Sequence, residues 1–444
     1  MKSFYKAASI FVICATVLFN FFQSPSFSND KAAPRIKEDT FGAYLGGGLG
    51  IHAPIELWQR EIDCLKKAKI GIARFNSDCW DAIEPQRGVY KWEAMDKIIN
   101  LLNKNGIKIL FTVPISSSWN TSAAGSKNSK IAATHFPAKD LRDIENLCFN
   151  LAHRYKDQIT HWEAWNKPDL PDFWKGRISA PEYLETLKAM RKGLKRGNPD
   201  CKVVIGGLLN PWSGTYLKSL LKHGAGDYFD IMNIHIYTPE ASMARLAVMN
   251  IRQTLNDYGI NKPLWVTEIS TTPDYYKTSN YDKEELFKAQ YLVKSCVVLL
   301  SEGVEKIFWH SLRKCGRDVG LKKDFDFGLL NSDFGELPAY LACEKLLFTL
   351  AGSSFAKKTP FCEGVCFYTF RTEDSTIYIV WSENGKNLLK LPIILKGMLF
   401  RDIFDKEIGG NKKGCFEYWL DESPIYIEEK INKKRFLSKT TNNK

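Results

Sequence analysis

A parallel barrel of eight alternating strand-helix units, followed by a small antiparallel β domain, is the α/β fold class that this sequence predicts. Three observations predict it. Eight apolar runs of about four to seven residues, near-continuous rather than alternating, suit parallel strands buried on both faces. Amphipathic segments of helical period separate most of them, and eight such units in about 310 residues fit a (β/α)8 TIM barrel. The polar residues Arg74, Asn166, His235, Tyr237 and Glu268, with Trp309, fall at or just past the C-terminal ends of the runs, where such a barrel builds its site. An open doubly wound sheet favours a glycine-rich dinucleotide fingerprint after an early strand, and none is present.

The first run, Phe41 to Tyr44, feeds a glycine-rich loop through Gly46, Gly47 and Gly48. That loop lacks the Gly-Lys-Ser/Thr ending that would hold phosphate and magnesium. Helical patterns over 56–69 and 92–105 precede the runs at 71–75 and 107–113. Further strands are expected at 159–165, 202–207, 229–234, 264–267 and 306–309, with helices over 180–193 and 283–300 among the connections. Beyond Gly352 the rhythm changes to short alternating strands at 365–370, 376–381, 388–391 and 424–427, separated by turns rich in Asn, Gly and Asp. The expected organisation is therefore a barrel over 29–351 and a small β-sandwich domain over 352–430.

The ends and the composition bound the function. At 444 residues, 44% hydrophobic and 25% charged, the chain is long enough for one large domain and a small one. A basic start at Lys2 and Lys6, an apolar run over 7–22 and small Ser26 and Ser28 form the three-part pattern of a cleaved secretory signal over 1–28. The apolar run is shorter than the roughly 20 residues of a spanning helix, so no stable membrane span is expected after cleavage. Bulky Ile13 before Cys14 argues against a lipid anchor there. The expected location is secreted or periplasmic. The net charge of +12 is spread along the chain, dense only toward the tail 431–444, which reads as a solvated disordered end rather than a nucleic-acid surface. Eleven cysteines include no Cys-x-x-Cys and no nearby His pair, so neither a zinc site nor a cofactor is expected. Cys362 and Cys366 flank a tight turn that suits either a disulfide or buried thiols.

Two stretches carry the chemistry. His161-Trp162-Glu163-Ala164-Trp165-Asn166-Lys167-Pro168-Asp169 is an apolar strand entering a polar turn, and Pro263 to Ser270 is a second buried-looking strand with the carboxylate of Glu268 near its end. A buried carboxylate is costly without partners, although a structural ion pair is the ordinary reason for one. Together the stretches resemble the paired active-site strands of retaining glycoside hydrolases of clan A, most of all family 39, the β-xylosidase and α-iduronidase group with its exopolysaccharide-cleaving relatives. In that clan the fourth strand ends in Trp-Asn-Glu-Pro and the seventh in the nucleophilic Glu. Trp80, Ile83-Glu84-Pro85, Gly88, Tyr90, Trp92 and Asp96 resemble its loop and helix after strand two.

The resemblance implies a carbohydrate ligand and a role for each residue: Glu268 as nucleophile, Arg74 and Tyr237 holding it, Asn166 and His235 lining the sugar site, and Trp309 as an apolar floor. Trp119, Trp174 and Trp212, in loops after strands three, four and five, are expected to offer exposed rings to pyranose faces. Retention needs two carboxyl groups roughly 5 Å apart, and Lys167 stands where the clan carries its acid/base Glu. A lysine ammonium, of reference pKa about 10.4, holds its proton too tightly to be a good acid near neutrality. Three readings follow. In the first, Glu163, Asp169 or a lysine of lowered pKa donates the proton. In the second, Lys167 and Glu268 are locked as an ion pair in a glycan-binding pseudoenzyme. The third is an unrelated exported scaffold.

Overall fold

The computed structural model describes residues 34–45, 50–77, 80–123, 135–175, 178–271, 280–314, 327–392, 398–409, 411–412 and 415–431. The expected signal, the glycine-rich loop at 46–48 and nearly all of the basic tail lie outside the described residues. The chain forms two compact units, one spanning Lys37–Tyr340 and the other combining residues 34–36 with the described residues from Leu341 onward.

The first unit is a barrel. Its strands are β1 (Phe41–Tyr44), β2 (Ile72–Asn76), β3 (Lys108–Thr112), β4 (His161–Asn166), β5 (Lys202–Gly207), β6 (Met232–Tyr237), β7 (Leu264–Ser270) and β8 (Lys306–Trp309). They form one parallel sheet in the order β5-β4-β3-β2-β1-β8-β7-β6. Backbone bonds from Ile205 N to Ile231 O (3.1 Å) and from His235 N to Leu208 O (2.9 Å) close β5 onto β6. Inside, Ile72, Leu110, Val204, Ile231, Trp265 and Phe308 pack as one apolar cluster, a plug of the kind that makes such barrels cores rather than pores.

Helices form where the apolar period and the caps agree. They are α1 (Ile55–Lys67), α2 (Glu93–Lys104), α3 (Leu141–Arg154), α4 (Ala180–Gly197), α5 (Thr215–Lys222), α6 (Ala241–Asp257), α7 (Tyr281–Ser301) and α8 (Pro338–Leu350). α2 buries Met95, Ile98, Ile99 and Leu102, one stripe at helical spacing, with Glu93 and Asp96 in its first turn and Lys104 in its last, as the helix dipole favours. Asp140, Ser179 and Asn280 cap α3, α4 and α7 by accepting from the backbone N–H of Arg142, Glu182 and Lys283. Among the described residues no helix is long and apolar enough to cross a membrane.

The expected sixth strand, over 229–234, is displaced. The ladder runs from Met232 to Tyr237, because the polar side chains of Asn233, His235 and Tyr237 alternate with Ile234 and Ile236 on a strand whose inner face is the site. The apolar run around Phe229 and Ile231 is a turn and a bridge to β5 instead.

In the second unit, strands β9 (Ser354–Lys358), β10 (Val365–Arg371), β11 (Ser375–Ser382), β13 (Met398–Asp402) and β16 (Ile425–Lys430) form one antiparallel sheet, ordered β13-β16-β11-β10-β9. β12 (Asn387–Pro392), β14 (Asn411–Lys412) and β15 (Cys415–Leu420) form a second, ordered β12-β15-β14. Val365, Phe367, Val380, Ile425 and Ile427 of the first sheet share a core with Leu389, Leu391, Phe416 and Leu420 of the second. Cys362 is a free thiol, so the turn between it and Cys366 is not closed by a disulfide.

Candidate active site

Arg74 organises the site. It points inward from the end of β2 and is fully buried, and a guanidinium taken out of water needs carboxylates around it. Its Nε donates to Glu163 Oε2 (2.8 Å), its Nη1 to Glu268 Oε1 (2.8 Å) and its Nη2 to Asn166 Oδ1 (3.2 Å). One planar fork therefore ties the ends of β2, β4 and β7 together.

Glu163 lies beneath. Besides Arg74 it accepts from the Thr112 hydroxyl, from Asn233 Nδ2 (2.7 Å) and from Thr267 Oγ1 (2.8 Å). Burial by itself would raise its carboxyl, but the Arg74 guanidinium, the neighbouring His235 and the hydrogen bonds hold it down to about 2. Glu163 is ionised at neutral pH and its oxygens are taken, so it is no proton donor; that expectation is corrected. Asp169 is corrected as well. Its two oxygens accept the backbone N–H of Leu209 (3.1 Å) and Asn210 (2.8 Å), which commits it to pinning the loop after β5.

Glu268 is reached by three donors: Arg74, Tyr237 Oη (2.7 Å) and Lys167 Nζ (2.8 Å). Burial would raise its carboxyl, whereas His235 when charged, Lys167, His310 when charged and Arg74 push it well below the usual carboxylate range. Tyr237 is pushed the opposite way, by burial and by Glu268, so it stays a hydroxyl and donates. The buried cluster is charge-balanced, with two carboxylates facing one guanidinium and one ammonium. The Lys167 ammonium also lies 4.8 Å from the Phe173 ring centre and 5.5 Å from that of Tyr237, within cation–π reach of both.

Local backbone irregularities aim these groups. The pairing of β6 with β7 slips between Ile234 and His235, which face Val266 and Glu268, so Thr267 is an extra residue in β7. This bulge lets two consecutive side chains, Thr267 and Glu268, both reach inward. At the end of β4, Trp165 (φ 77°) and Lys167 (φ 48°) take left-handed conformations that non-glycine residues rarely adopt, and such strain concentrates at functional sites.

The Thr267 hydroxyl, which lies within hydrogen-bond distance of the oxygens of Glu163 and Asn233, is also 2.9 Å from His235 Nε2. Burial lowers the imidazole below its ordinary range, and its Nδ1, 3.3 Å from Glu268 Oε2, has no hydrogen bond among the described residues. Gly207 makes room for it, since a Cβ there would stand 2.0 Å from His235 Nε2. Gly207→Ala is expected to destabilise the fold by about 1–3 kcal/mol through overpacking, read as a lower denaturation midpoint with an unchanged slope.

Residues 90–336, more than half of the chain, match the family described as "Glycosyl hydrolase catalytic core". The chain belongs to that family. Residues 51–125 also match the pattern described as "Beta-galactosidase". Endo-1,4-beta-xylanase A of Phanerodontia chrysosporium is 28% identical over 151 residues, which are 33% of this chain and 35% of the xylanase. The chain thus matches only about a third of the length of such curated relatives. In fold, the chain is similar to a family 39 glycoside hydrolase from Bacteroides cellulosilyticus, with TM-score 0.72 and 20% identity over 89% of this chain and 83% of that one. It is similar too to a monomeric beta-xylosidase from Caulobacter crescentus, with TM-score 0.64 and 15% identity over 90% and 98% of the two chains.

The fold brings Arg74, Asn166, Lys167, His235, Tyr237 and Glu268 together, but not Trp309. Along β8 Phe308 enters the barrel cluster, so Trp309 faces outward; its ring lies 6.3 Å from that of Tyr291 on α7, and its Nε1 donates to Phe327 O. The residue that turns inward is His310, which the sequence reading passed over. Trp119 is partly buried, edge-on to Trp80 at 5.3 Å, with its Nε1 donating to Glu84 O (2.9 Å). Trp174 is fully buried against Tyr183, contrary to expectation, whereas Trp212 is exposed. Thr112, Asn233 and Thr267, which hold Glu163, carried no sequence signal beyond being polar residues in apolar runs.

Proposed function

We propose that this glycosyl hydrolase is an exported protein that acts on O-glycosidic bonds of an oligo- or polysaccharide, β-xylosidic linkages first among them, by attack of Glu268 on the anomeric carbon. The observation that carries the reading is the convergence of Arg74 and Tyr237 on an ionised Glu268 at the end of a barrel strand. Such partners fix a nucleophile in place and keep it charged. The xylanase and xylosidase names of the relatives supply the sugar class, and the N-terminal pattern supports export.

Lys167 limits the reaction. Attack by Glu268 forms the glycosyl–carboxylate bond and expels the leaving oxygen with its electron pair, and no carboxylic acid among the described residues of this site is free to protonate it. The nearby ammonium can stabilise a developing oxyanion electrostatically. Leaving groups that depart as stable anions therefore suit the site, and the glycosyl-enzyme lacks a carboxylate base to activate water.

An activated fluorosugar, such as a 2-fluoro-xylosyl fluoride, should add its glycosyl mass to the protein, and peptide mapping should place the adduct on Glu268. A second reading, a glycan-binding protein without turnover, is favoured by the 2.8 Å Lys167–Glu268 pair, which occupies the nucleophile. Sugar binding without an adduct would select that second reading. Neither binding nor adduct would refute both.

A further inference from the structure

His310 occupies the barrel mouth beside Glu268. Its backbone N donates to Ile269 O (3.0 Å), the residue after Glu268, and its ring packs between those of Tyr44 (5.2 Å), Phe327 (5.6 Å) and Tyr237 (6.3 Å). Tyr237 bonds Glu268 directly, and the Arg74 guanidinium carbon is 5.8 Å from the Tyr44 ring centre. The imidazole is half-buried, and its Nδ1 has no hydrogen-bond partner among the described residues.

We propose that His310 is a sugar-contacting, specificity-determining residue, whose imidazole exchanges a hydrogen bond with one ring hydroxyl of the glycone held against Glu268. The proposal rests on the barrel mouth being a sugar site. Three features choose the hydroxyl as partner. Burial, with Lys167 and Arg74 acting against the pull of Glu268, lowers His310 to about 4, so at neutral pH it offers one donor and one acceptor and no charge. An anion gains no charge from such a ring, whereas a hydroxyl matches either nitrogen. The charged groups nearby, Arg74, Lys167 and Glu268, are already paired with one another, so His310 is where recognition without charge can be added. An aromatic residue at this place would give stacking alone; an imidazole adds selection for the hydroxyl it meets.

A purely space-filling histidine is the rival, and phenylalanine would serve that role as well. Dissociation constants of methyl β-D-xylopyranoside and its 2-, 3- and 4-deoxy analogues, measured by NMR titration on the full chain, separate the two. In wild type, one deoxy analogue should bind about tenfold more weakly than the parent, the scale of one hydrogen bond. In His310→Phe the parent should weaken by the same factor and that analogue no further, while His310→Gln should recover part of the discrimination. Should His310→Phe not fold, His310→Leu carries the same comparison. Unchanged parent affinity in a folded variant, or deoxy penalties that all persist in it, overturns the proposal and leaves the sugar site standing. A wild type that binds none of the four overturns the sugar-site reading and this inference with it.

Discussion

Replacing Lys167 by glutamate should raise the turnover of unactivated glycosides by about 10²- to 10⁴-fold, the usual contribution of general acid/base catalysis. The geometry leaves room for this. Lys167 Nζ touches Glu268 Oε2 at 2.8 Å, and the oxygens of a glutamate reach one bond less far, so the introduced carboxyl falls back toward the roughly 5 Å separation that retention requires. The charge balance assigns the proton. Lys167→Glu turns a cluster of two carboxylates and two cations into three carboxyls around Arg74. Glu163 has four donors, and Glu268 keeps Arg74 and Tyr237, so the least-partnered carboxyl is the introduced one. Like charges nearby raise its pKa and make it the acid. Hydrolysis of xylo-oligosaccharides, followed by reducing-sugar release, should appear in Lys167→Glu and vanish again when Glu268→Gln is added. A wild type that already cleaves these substrates faster than Lys167→Glu would make the lysine itself functional and this account of it wrong.

The barrel was readable because parallel strands buried on both faces leave near-continuous apolar runs, and because Arg74, Asn166, Lys167, His235, Tyr237 and Glu268 interrupt or end those runs. The same continuity hid the phase of the side chains. In Ile307-Phe308-Trp309 every residue is buried, so nothing in the sequence says which ring enters the barrel, and a shift of one residue separates the expected floor, Trp309, from the actual inward residue, His310. A bulge is equally silent. Thr267 looks like an ordinary strand residue, yet its insertion opposite β6 carries both it and Glu268 inward. At the end of β4, counting by twos puts Glu163 and Trp165 on one face, but the left-handed turn at Trp165 breaks the count. The Trp165 indole instead donates to Phe173 O (2.9 Å), and Glu163 alone enters the polar cluster. Lys167 was legible as a substitution, and its ion pair with Glu268, one of the alternatives the sequence left open, forms at 2.8 Å beyond that same turn.

The largest expected loss of stability follows from Arg74. In Arg74→Met the side chain keeps much of its volume while two buried carboxylates, Glu163 and Glu268, lose their shared guanidinium; leaving buried charge uncompensated costs about 3–5 kcal/mol. Glu268 retains Lys167 and Tyr237, so Glu163 bears most of the loss. The pH dependence separates this cause from a packing defect. In wild type, Glu163 sits at about 2 when folded, below its ordinary unfolded value near 4.3; its contribution is complete above that value and is lost as pH falls from there toward 2. Without Arg74, burial dominates and the folded carboxyl rises above its unfolded value, so the variant binds a proton on folding and gains stability as pH falls through the raised value. Urea denaturation between pH 7.5 and 4.5 should therefore show the gap between Arg74→Met and wild type narrowing as pH falls, and Glu163→Gln added to Arg74→Met should recover part of the loss at pH 7.5. A gap that stays constant across that range would mean that Arg74 acts by filling space, and that the two carboxylates do not depend on its charge.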